Sequence, residues 1–204
     1  MAKTRNLTEE ERLQELFKKK PLLRSKDIYA AGISPMALLR LLKKNKILTS
    51  GRGVFLLPGA VTSEHHTLIE IGLRVPRGVI CLLSALRFHD IGSQNPQQVW
   101  LAIDRKARRP QIQNIQLRVV RFSSPALRYG VEKHNIHGVP IFVTNPAKTV
   151  ADCFKYRNKI GLDVALEALK EGWLKKRFTM DALSRAAKVC RVTNIIRPYI
   201  EALI

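Results

Sequence analysis

Apolar side chains recur every three or four positions over the N-terminal part of the chain, and this spacing predicts three helices joined by short turns. Thr8 and Glu11 form a capping-box pattern ahead of the first helix, which we expect to reach residue 19. Ser25 is expected to cap a second helix over residues 25–31. Gly32 then supplies the left-handed backbone that a tight turn between two helices requires.

The third helix, over residues 34–45, has the clearest pattern. Ser34 is a favourable N-cap, and Pro35 fits the first helical position because no amide hydrogen is needed there. Leu38, Leu41 and Leu42 form one apolar face, so we expect them to be buried.

A hairpin is predicted after this helix. Residues 47–49 and 54–57 are two apolar runs rich in β-forming residues, and Ser50-Gly51-Arg52-Gly53 separates them. This pattern places Arg52 at the tip of the hairpin. Helix, turn, helix and hairpin in this order over residues 20–58 are typical of a winged helix-turn-helix.

The pattern changes after residue 59, where longer helices alternate with apolar strands. Helices are predicted over residues 63–74, 79–89, 145–159, 162–176, 180–189 and 193–203, with a short helical turn over 125–129. Strands are predicted over residues 99–103, 115–122, 134–136 and 139–144. The fold class is therefore α+β: a winged helix-turn-helix domain over residues 1–60, then a mixed α/β domain over residues 61–204 with a small sheet and a C-terminal helical array.

The charge of the chain adds a class of partner to this picture. Lys and Arg number 36 against 16 Asp and Glu, which gives a formal net charge of +20, and both predicted domains are basic. Such an excess favours polyanionic partners, and nucleic acid is the natural candidate. Hydrophobic residues make up 46% of the chain, enough for ordinary globular cores.

Double-stranded DNA is the expected ligand of the first domain. A helix in the major groove needs hydrogen-bond donors on its outer face and small side chains near the base edges. Met36, Ala37, Arg40 and Lys44 fit this description, and we expect Arg40 and Lys44 to approach base edges. Contacts to the DNA backbone are expected from five further residues: Arg24, Lys26, Ser34, Lys43 and Arg52. The alternative is a protein-docking or purely structural module, because fold alone does not fix function.

The three cysteines suggest no chemistry of their own. Cys81, Cys153 and Cys190 are odd in number and far apart in apolar surroundings, so we expect buried thiols, no disulfide framework and no metal site. No apolar run is long enough to span a membrane, and the N-terminus lacks a signal core. We therefore expect a cytoplasmic protein with no cofactor and no membrane partner.

Several short motifs together resemble one known family. They are Ala31-Gly32-Ile33-Ser34, Gly51-Arg52-Gly53-Val54-Phe55, the run over residues 78–86, Val99-Trp100-Leu101-Ala102-Ile103, Arg108-Arg109-Pro110, the strand over residues 117–123, and the run over residues 145–152. Their order and spacing resemble the AbiEi-type antitoxins of bacterial type IV toxin–antitoxin, or abortive infection, systems. The resemblance covers most of the chain.

The resemblance implies a function for each domain. The first would repress the protein's own operon by binding inverted repeats in its promoter, as a monomer in solution or a weak dimer on DNA. The second would counteract a nucleotidyltransferase-like toxin, with or without direct contact. One departure is Ala147-Lys148, where the family more usually has Glu-Arg. Thr149 and Asp152 beside it can be either a local polar network, the interpretation we favour, or part of an antitoxin surface.

Enzymatic alternatives rest on two patterns. Gly92-Ser93 followed by Asp104 is like the opening of a nucleotidyltransferase site, but the position two beyond Asp104 is Lys106 and the second carboxylate is missing. Asp90, Asp104 and Lys106 fit a loose metal-dependent nuclease pattern, although Asp90 has no second acid nearby. His65-His66 do not converge, because adjacent helical residues diverge by about 100°. We expect no enzyme, and keep a nuclease and a stand-alone regulator without a toxin as alternatives.

Overall fold

The computed structural model describes residues 7–49, 53–58, 66–112, 115–136 and 139–203. Its internal contacts divide the chain into two compact units. The first comprises Met1–Pro76 with Asn135–Ile141, and the second comprises Arg77–His134 with Phe142–Ile204. The predicted α+β class agrees with this mixture of helices and sheets.

The first unit begins with three helices and a small sheet. Its elements are α1 (Glu9–Lys19), β1 (Leu22–Arg24), α2 (Ser25–Ala30), α3 (Pro35–Lys43), β2 (Leu48–Thr49), β3 (Val54–Leu56) and α4 (His66–Arg74). The strands are antiparallel in the order β1-β3-β2. The sequence did not predict β1, which pairs with β3 from Leu22 opposite Leu56 to Arg24 opposite Val54.

Most of the predicted turn chemistry in this unit is confirmed. Thr8 and Glu11 form the capping box of α1, and Gly32 has a φ of 74°. Ser34 caps α3, because its hydroxyl accepts a hydrogen bond from the Ala37 amide at 3.2 Å. Ser25 is not a cap, and that prediction was wrong. It is the first residue of α2, and its hydroxyl instead donates to the Gly53 carbonyl at 3.4 Å.

The core of the first unit is apolar, and its residues come from the helices α1, α2 and α3, from the paired strands β1 and β3, and from the segments that join them. It contains Leu13, Phe17, Leu23, Ile28, Ile33, Ala37, Leu38, Leu41, Ile47 and Phe55. The prediction for Leu38 and Leu41 is confirmed, while Leu42 is half-buried at the edge. This core fixes which side of α3 faces outward.

The boundary between the compact units differs from the predicted one at residue 60. The helix α4, predicted to open the second domain, groups with the first unit. It contacts β1, and the Arg24 guanidinium donates to the Leu73 carbonyl at 3.4 Å. These contacts bring residues up to Pro76 into the first unit. Residues 59–65 lie outside the described part of the chain.

The second unit is built around a mixed sheet and a group of helices. Its elements are β4 (Val79–Ile80), α5 (Leu82–Phe88), β5 (Val99–Asp104), β6 (Leu117–Phe122), α6 (Ser124–Arg128), β7 (Val131–Ile136), β8 (Val139–Thr144), α7 (Pro146–Lys155), α8 (Arg157–Ile160), α9 (Leu162–Leu174), α10 (Met180–Cys190) and α11 (Thr193–Glu201). The end of β7 and the start of β8 fall within Asn135–Ile141, which groups with the first unit. The strand order is β6-β5-β4-β8-β7. Strands β5 and β6 are parallel in register, from Val99 opposite Leu117 onward.

Two predicted helices of this unit are divided in the structure. The segment predicted as one helix over residues 79–89 begins as strand β4. Val79 and Ile80 pair with β5 on one side, and Ile80 pairs with Val143 of β8 on the other. A central strand satisfies its backbone through both neighbours, and this pairing overrides the helical pattern. The helix predicted over residues 145–159 divides at Tyr156 into α7 and α8.

Helix α7 lies at the centre of the second unit. It contacts α5, α9 and α10, and every residue from Ala147 to Phe154 is buried. Asn145 caps it by accepting from the Lys148 amide at 2.9 Å, with Pro146 in the first turn. Two charged side chains, Lys148 and Asp152, are therefore enclosed within the core. Among the described residues, no helix is long and apolar enough to cross a bilayer.

Candidate nucleic-acid interface

The outward face of α3 is defined by what the core leaves exposed. Met36 and Leu39 are 69% and 52% exposed, and Arg40 and Lys43 are exposed beside them. Residues three or four apart share a helix face, so these four side chains form one surface, which we call the α3 face. It combines two cations with two apolar side chains.

One residue predicted for this face lies elsewhere. Ala37 is 5% exposed and belongs to the core, so its predicted place near the base edges was wrong. Its methyl group packs inward together with Leu38 and Leu41. Leu39, which the sequence did not single out, takes the outward position instead. The apolar spacing alone did not decide which way Ala37 faces, because a small alanine side chain is tolerated both in a core and at a surface.

The N-terminal end of α3 is already occupied by an acidic side chain. The Ser34 amide donates a hydrogen bond to Glu9 Oε1 at 2.7 Å. Hydrogen bonds from the Ser34 backbone and hydroxyl lower the pKa of Glu9, and the nearby Arg12 and Arg40 add to this effect. The phosphate contact predicted for Ser34 therefore meets a competing carboxylate in the protein itself. The sequence gave no indication of this bond, which joins residues 25 positions apart.

The cations predicted to contact DNA differ in exposure and in whether they form ion pairs within the protein. Arg24 is half-buried and forms an ion pair with Asp27, with Nε to Oδ2 at 3.1 Å. Lys26 and Lys44 are exposed, and Lys44 forms the C-cap of α3. Arg52 and the tip of the predicted hairpin lie outside the described residues. The two strands of this hairpin, β2 and β3, are described, with Leu48 opposite Leu56 and Thr49 opposite Phe55.

The residues of the enzymatic alternatives are held by local contacts. Asp104 ends β5, where its carboxylate accepts from the Lys106 amide at 2.9 Å and from the Ser124 hydroxyl at 3.2 Å. These bonds lower the pKa of Asp104. Asp90 contacts a different residue, the Lys175 ammonium, at 3.4 Å. In the described ranges, no three His, Cys, Asp or Glu side chains cluster in a way that could hold a metal ion.

The Gly92-Ser93 pair also has partners within the chain. The Gly92 amide donates to Glu171 at 2.8 Å, and the Ser93 amide donates to Glu167 at 2.9 Å. Two carboxylates of α9 thus occupy the amides that a triphosphate would need. This arrangement favours a structural role for the pair. The side chains of His65 and His66 lie outside what the structure describes.

A buried polar network surrounds α7. The Thr149 hydroxyl shares its one proton between the carbonyls of Thr144 and Asn145, at 2.9 and 2.8 Å, which ties the helix to the end of β8. Lys148 forms an ion pair with Asp152, and the Cys190 thiol donates to Asp152 at 3.3 Å. Thr149 and Asp152 are 0% and 2% exposed, so they belong to the interior rather than to a surface.

Burial changes the acid–base properties of this network. It raises the pKa of Asp152, an effect that the neighbouring Lys148 ammonium opposes. Burial also raises the pKa of Cys81 and Cys153, and raises that of Cys190 to about 12. All three cysteines are buried free thiols, as predicted. Thiols that stay protonated at neutral pH are poor nucleophiles and poor metal ligands.

The N-terminal elements match a known family. Residues 11–58, from α1 to the end of the small sheet, match the family model described as "Transcriptional regulator, AbiEi antitoxin". Over these residues the chain is similar to the AbiEi family. The resemblance predicted from the sequence is thereby confirmed over residues 11–58.

Most of the chain is similar in fold to a solved structure. The RV2827C protein from Mycobacterium tuberculosis matches with a TM-score of 0.58 and 14% identity, over 90% of this chain and 72% of that protein. An identity this low shows a shared fold only. No curated protein matches the chain.

Proposed function

We propose that this protein is a cytoplasmic DNA-binding repressor and the antitoxin of a type IV toxin–antitoxin system. Its first unit would bind duplex DNA as a winged helix-turn-helix and so regulate its own operon. The α3 face is the observation that carries this proposal. Arg40 and Lys43 project from it beside two exposed apolar side chains, Met36 and Leu39, and it lies within residues 11–58, which match the AbiEi family model.

The geometry of the first unit supports this use of α3. Helix α2, the turn at Gly32 and helix α3 follow one another as in a helix-turn-helix, in which the second helix enters the major groove. Strands β2 and β3 follow directly and would form the wing. Arg40 can donate two hydrogen bonds to a guanine, and exposed apolar side chains can contact the methyl group of thymine.

The α3 face also suits the DNA backbone. Lys26 and Lys43 are exposed cations, and phosphate contacts of this kind position a protein without specifying sequence. Lys44 is exposed as well, and we expect it to approach base edges together with Arg40. The net charge of +20 would add an attraction to DNA that decreases steeply with salt. Base contacts from the α3 face and backbone contacts from its flanks are therefore separable in experiment.

Footprinting of the full-length protein on its own promoter tests the DNA part of this proposal. We expect two protected inverted repeats that persist as salt is raised, after binding to a random duplex has been lost. Weak and uniform coverage at every salt concentration would contradict it, because charge alone would then explain the binding.

The antitoxin part has its own test. A nucleotidyltransferase-like open reading frame beside this gene would be expressed alone and together with the full-length protein, and growth would be measured. We expect growth to stop when the toxin-like protein is expressed alone and to resume when the full-length protein is expressed with it. The Arg40→Ala variant serves as a control, because rescue that persists in it cannot come from repression of the operon. Absence of rescue beside an intact footprint would instead favour a stand-alone regulator.

A further inference from the structure

Four cationic residues of the second unit line a cavity that the proposed function does not use. The cavity has a volume of about 230 Å³, and its walls include Arg105, Arg121, Lys155 and Arg191. They come from four places in the fold: the turn after β5, the strand β6, the end of α7 and the end of α10. Residues from four separate elements thus bring positive charge to the walls of one small cavity.

The negative charge in this cavity is already compensated. Asp152 lines it, but its carboxylate pairs with Lys148 and accepts from the Cys190 thiol. Within the described ranges, no carboxylate forms an ion pair with Arg105, Lys155 or Arg191. The other carboxylate close to these cations is Asp104, which interacts with Arg105 and accepts from the Lys106 amide and the Ser124 hydroxyl, so the four cations outnumber the acids around the cavity. Cations arranged in this way are suited to a phosphate group.

Two of the arginines are held in defined positions. Arg121 Nη1 donates to the carbonyls of Arg105 and Ala107 at 2.6 and 2.9 Å, which fixes the guanidinium against the turn. Arg191 adopts a left-handed backbone, with φ 59° and ψ 45°, directly after α10. Glycine is the usual residue at that place, so an arginine there costs some stability.

A second cavity shares part of its lining with the first and combines cations, Arg109 and Lys159 among them, with apolar side chains. Its volume is about 460 Å³, and it shares Arg121 and Tyr156 with the first cavity. Val119 and Val120 contribute apolar wall, and the Lys159 ammonium lies 5.6 Å from the centre of the Tyr156 ring. Burial raises the pKa of Tyr156 to about 12, so its hydroxyl remains a hydrogen-bond donor at neutral pH.

We propose that these two cavities bind a nucleotide, with its phosphate among Arg105, Arg121, Lys155 and Arg191 and its nucleoside beside Tyr156 and the valines. The first cavity has room for a phosphate group, and the second, larger cavity has an aromatic and an aliphatic wall for the organic part. The site belongs to the second unit alone and does not depend on DNA binding by the first.

Titration calorimetry of the full-length protein tests this site, with AMP, adenosine and inorganic phosphate as probes at low salt. We expect saturable binding of AMP, weaker binding of phosphate and none of adenosine. Absence of AMP binding, or equal affinity for AMP and adenosine, would overturn the proposal. Equal affinity for AMP and phosphate would overturn the role of the second cavity.

Variants separate the site from general charge. Arg191→Gly removes a cation and relieves the backbone, so the variant should fold with an unchanged or higher Tm while AMP affinity falls about tenfold. Lys155→Ala should weaken AMP binding by a similar factor. Arg185→Ala removes the same charge from α10 outside the cavity and should leave affinity unchanged; equal weakening in this control would overturn the site.

Two further measurements distinguish this site from the DNA-binding function. Arg40→Ala should bind AMP as well as the unmodified protein does, even if its promoter binding is lost. If Arg191→Gly instead weakens duplex binding as strongly as AMP binding, and a duplex displaces AMP completely, the cavity binds nucleic-acid backbone and the nucleotide proposal fails.

Discussion

Glu9 accepts a hydrogen bond from the backbone amide of Ser34 at 2.7 Å, so a carboxylate sits at the start of the helix that we propose enters DNA. The first amides of a helix carry partial positive charge and attract anions. Here the protein supplies its own anion. It stabilises the start of α3, and it also opposes the approach of a phosphate.

Replacing Glu9 with glutamine should strengthen DNA binding. The amide side chain can still accept from Ser34, but the negative charge beside the phosphates is gone. We expect affinity for a duplex to rise roughly two- to fivefold at low salt, the size of one exposed charge interaction. Glu15→Gln is the matched control on the same helix, and fluorescence anisotropy is the measurement. An equal gain in both variants would show that only net charge matters.

Arg40 and Lys43 should affect DNA binding in different ways. Arg40→Ala should reduce the preference for the promoter over a random duplex by about tenfold, because it removes a donor to base edges. Lys43→Ala should weaken both duplexes equally and lower the slope of log affinity against log salt by about one.

The comparison is made by electrophoretic mobility shift over a salt series. Lys170→Ala, which removes an exposed cation from α9 of the second unit, is the control. If Arg40→Ala weakens both duplexes by the same factor, Arg40 does not recognise bases.

The buried pair of Lys148 and Asp152 should be costly to break and cheap to replace as a whole. Lys148→Met leaves an uncompensated carboxylate inside the second unit, and we expect it to lower the free energy of unfolding by about 3–5 kcal/mol. Combining it with Asp152→Leu should restore most of the loss. Urea unfolding followed by fluorescence reports on this unit, since Trp100 and Trp173 both belong to it.

A destabilisation no larger in Lys148→Met than in Lys170→Ala would contradict this account of the core. The double variant also separates charge from packing. If it remains as unstable as the single variant, the cost arises from lost contacts, such as that of Lys148 with the Phe122 ring at 4.6 Å.

His89 should make the stability of the second unit depend on pH. Its Nε2 donates to the Thr144 carbonyl at 2.7 Å, and burial lowers the pKa of His89 below its ordinary 6.5. Below pH 6.5 the unfolded chain takes up a proton at this site before the folded chain does. The stability contributed by neutral His89 is therefore present above pH 6.5 and is lost as the pH falls through the lowered pKa.

The measurement is the urea midpoint at pH 7.5 and at pH 5.5. The midpoint of the unmodified protein should fall by more than that of His89→Gln, which keeps a hydrogen-bond donor but does not titrate in this range. Equal falls in the two proteins would show that His89 is not the source of the pH dependence.

Features set by neighbouring residues could be predicted from the sequence. The capping box at Thr8 and Glu11, the cap at Ser34 and the turn at Gly32 all follow from bonds or conformations within a few positions. Such features depend on the order of residues more than on the rest of the fold. They were enough to place α3 and to suggest its outward cations.

Features that depend on distant partners could not be predicted in this way. Strand β1 has three residues, and its partner β3 lies some thirty positions further on. The central strand β4 was assigned to a helix, since its pairing with β5 and β8 is invisible in its own pattern. Packing likewise decided that Leu39, and not the predicted Ala37, is exposed on the α3 face.

The order of residues by itself determined the class of fold, the position of α3, the burial of the cysteines and the strong positive charge. These properties follow from short-range hydrogen bonds, apolar spacing and composition, which do not require the rest of the molecule. Only the tertiary structure decided that Glu9 covers the start of α3, that Lys148 and Asp152 pair in the core, and that four separate cations surround one cavity. Those relationships join residues far apart along the chain, and their energies exist only once the chain has packed.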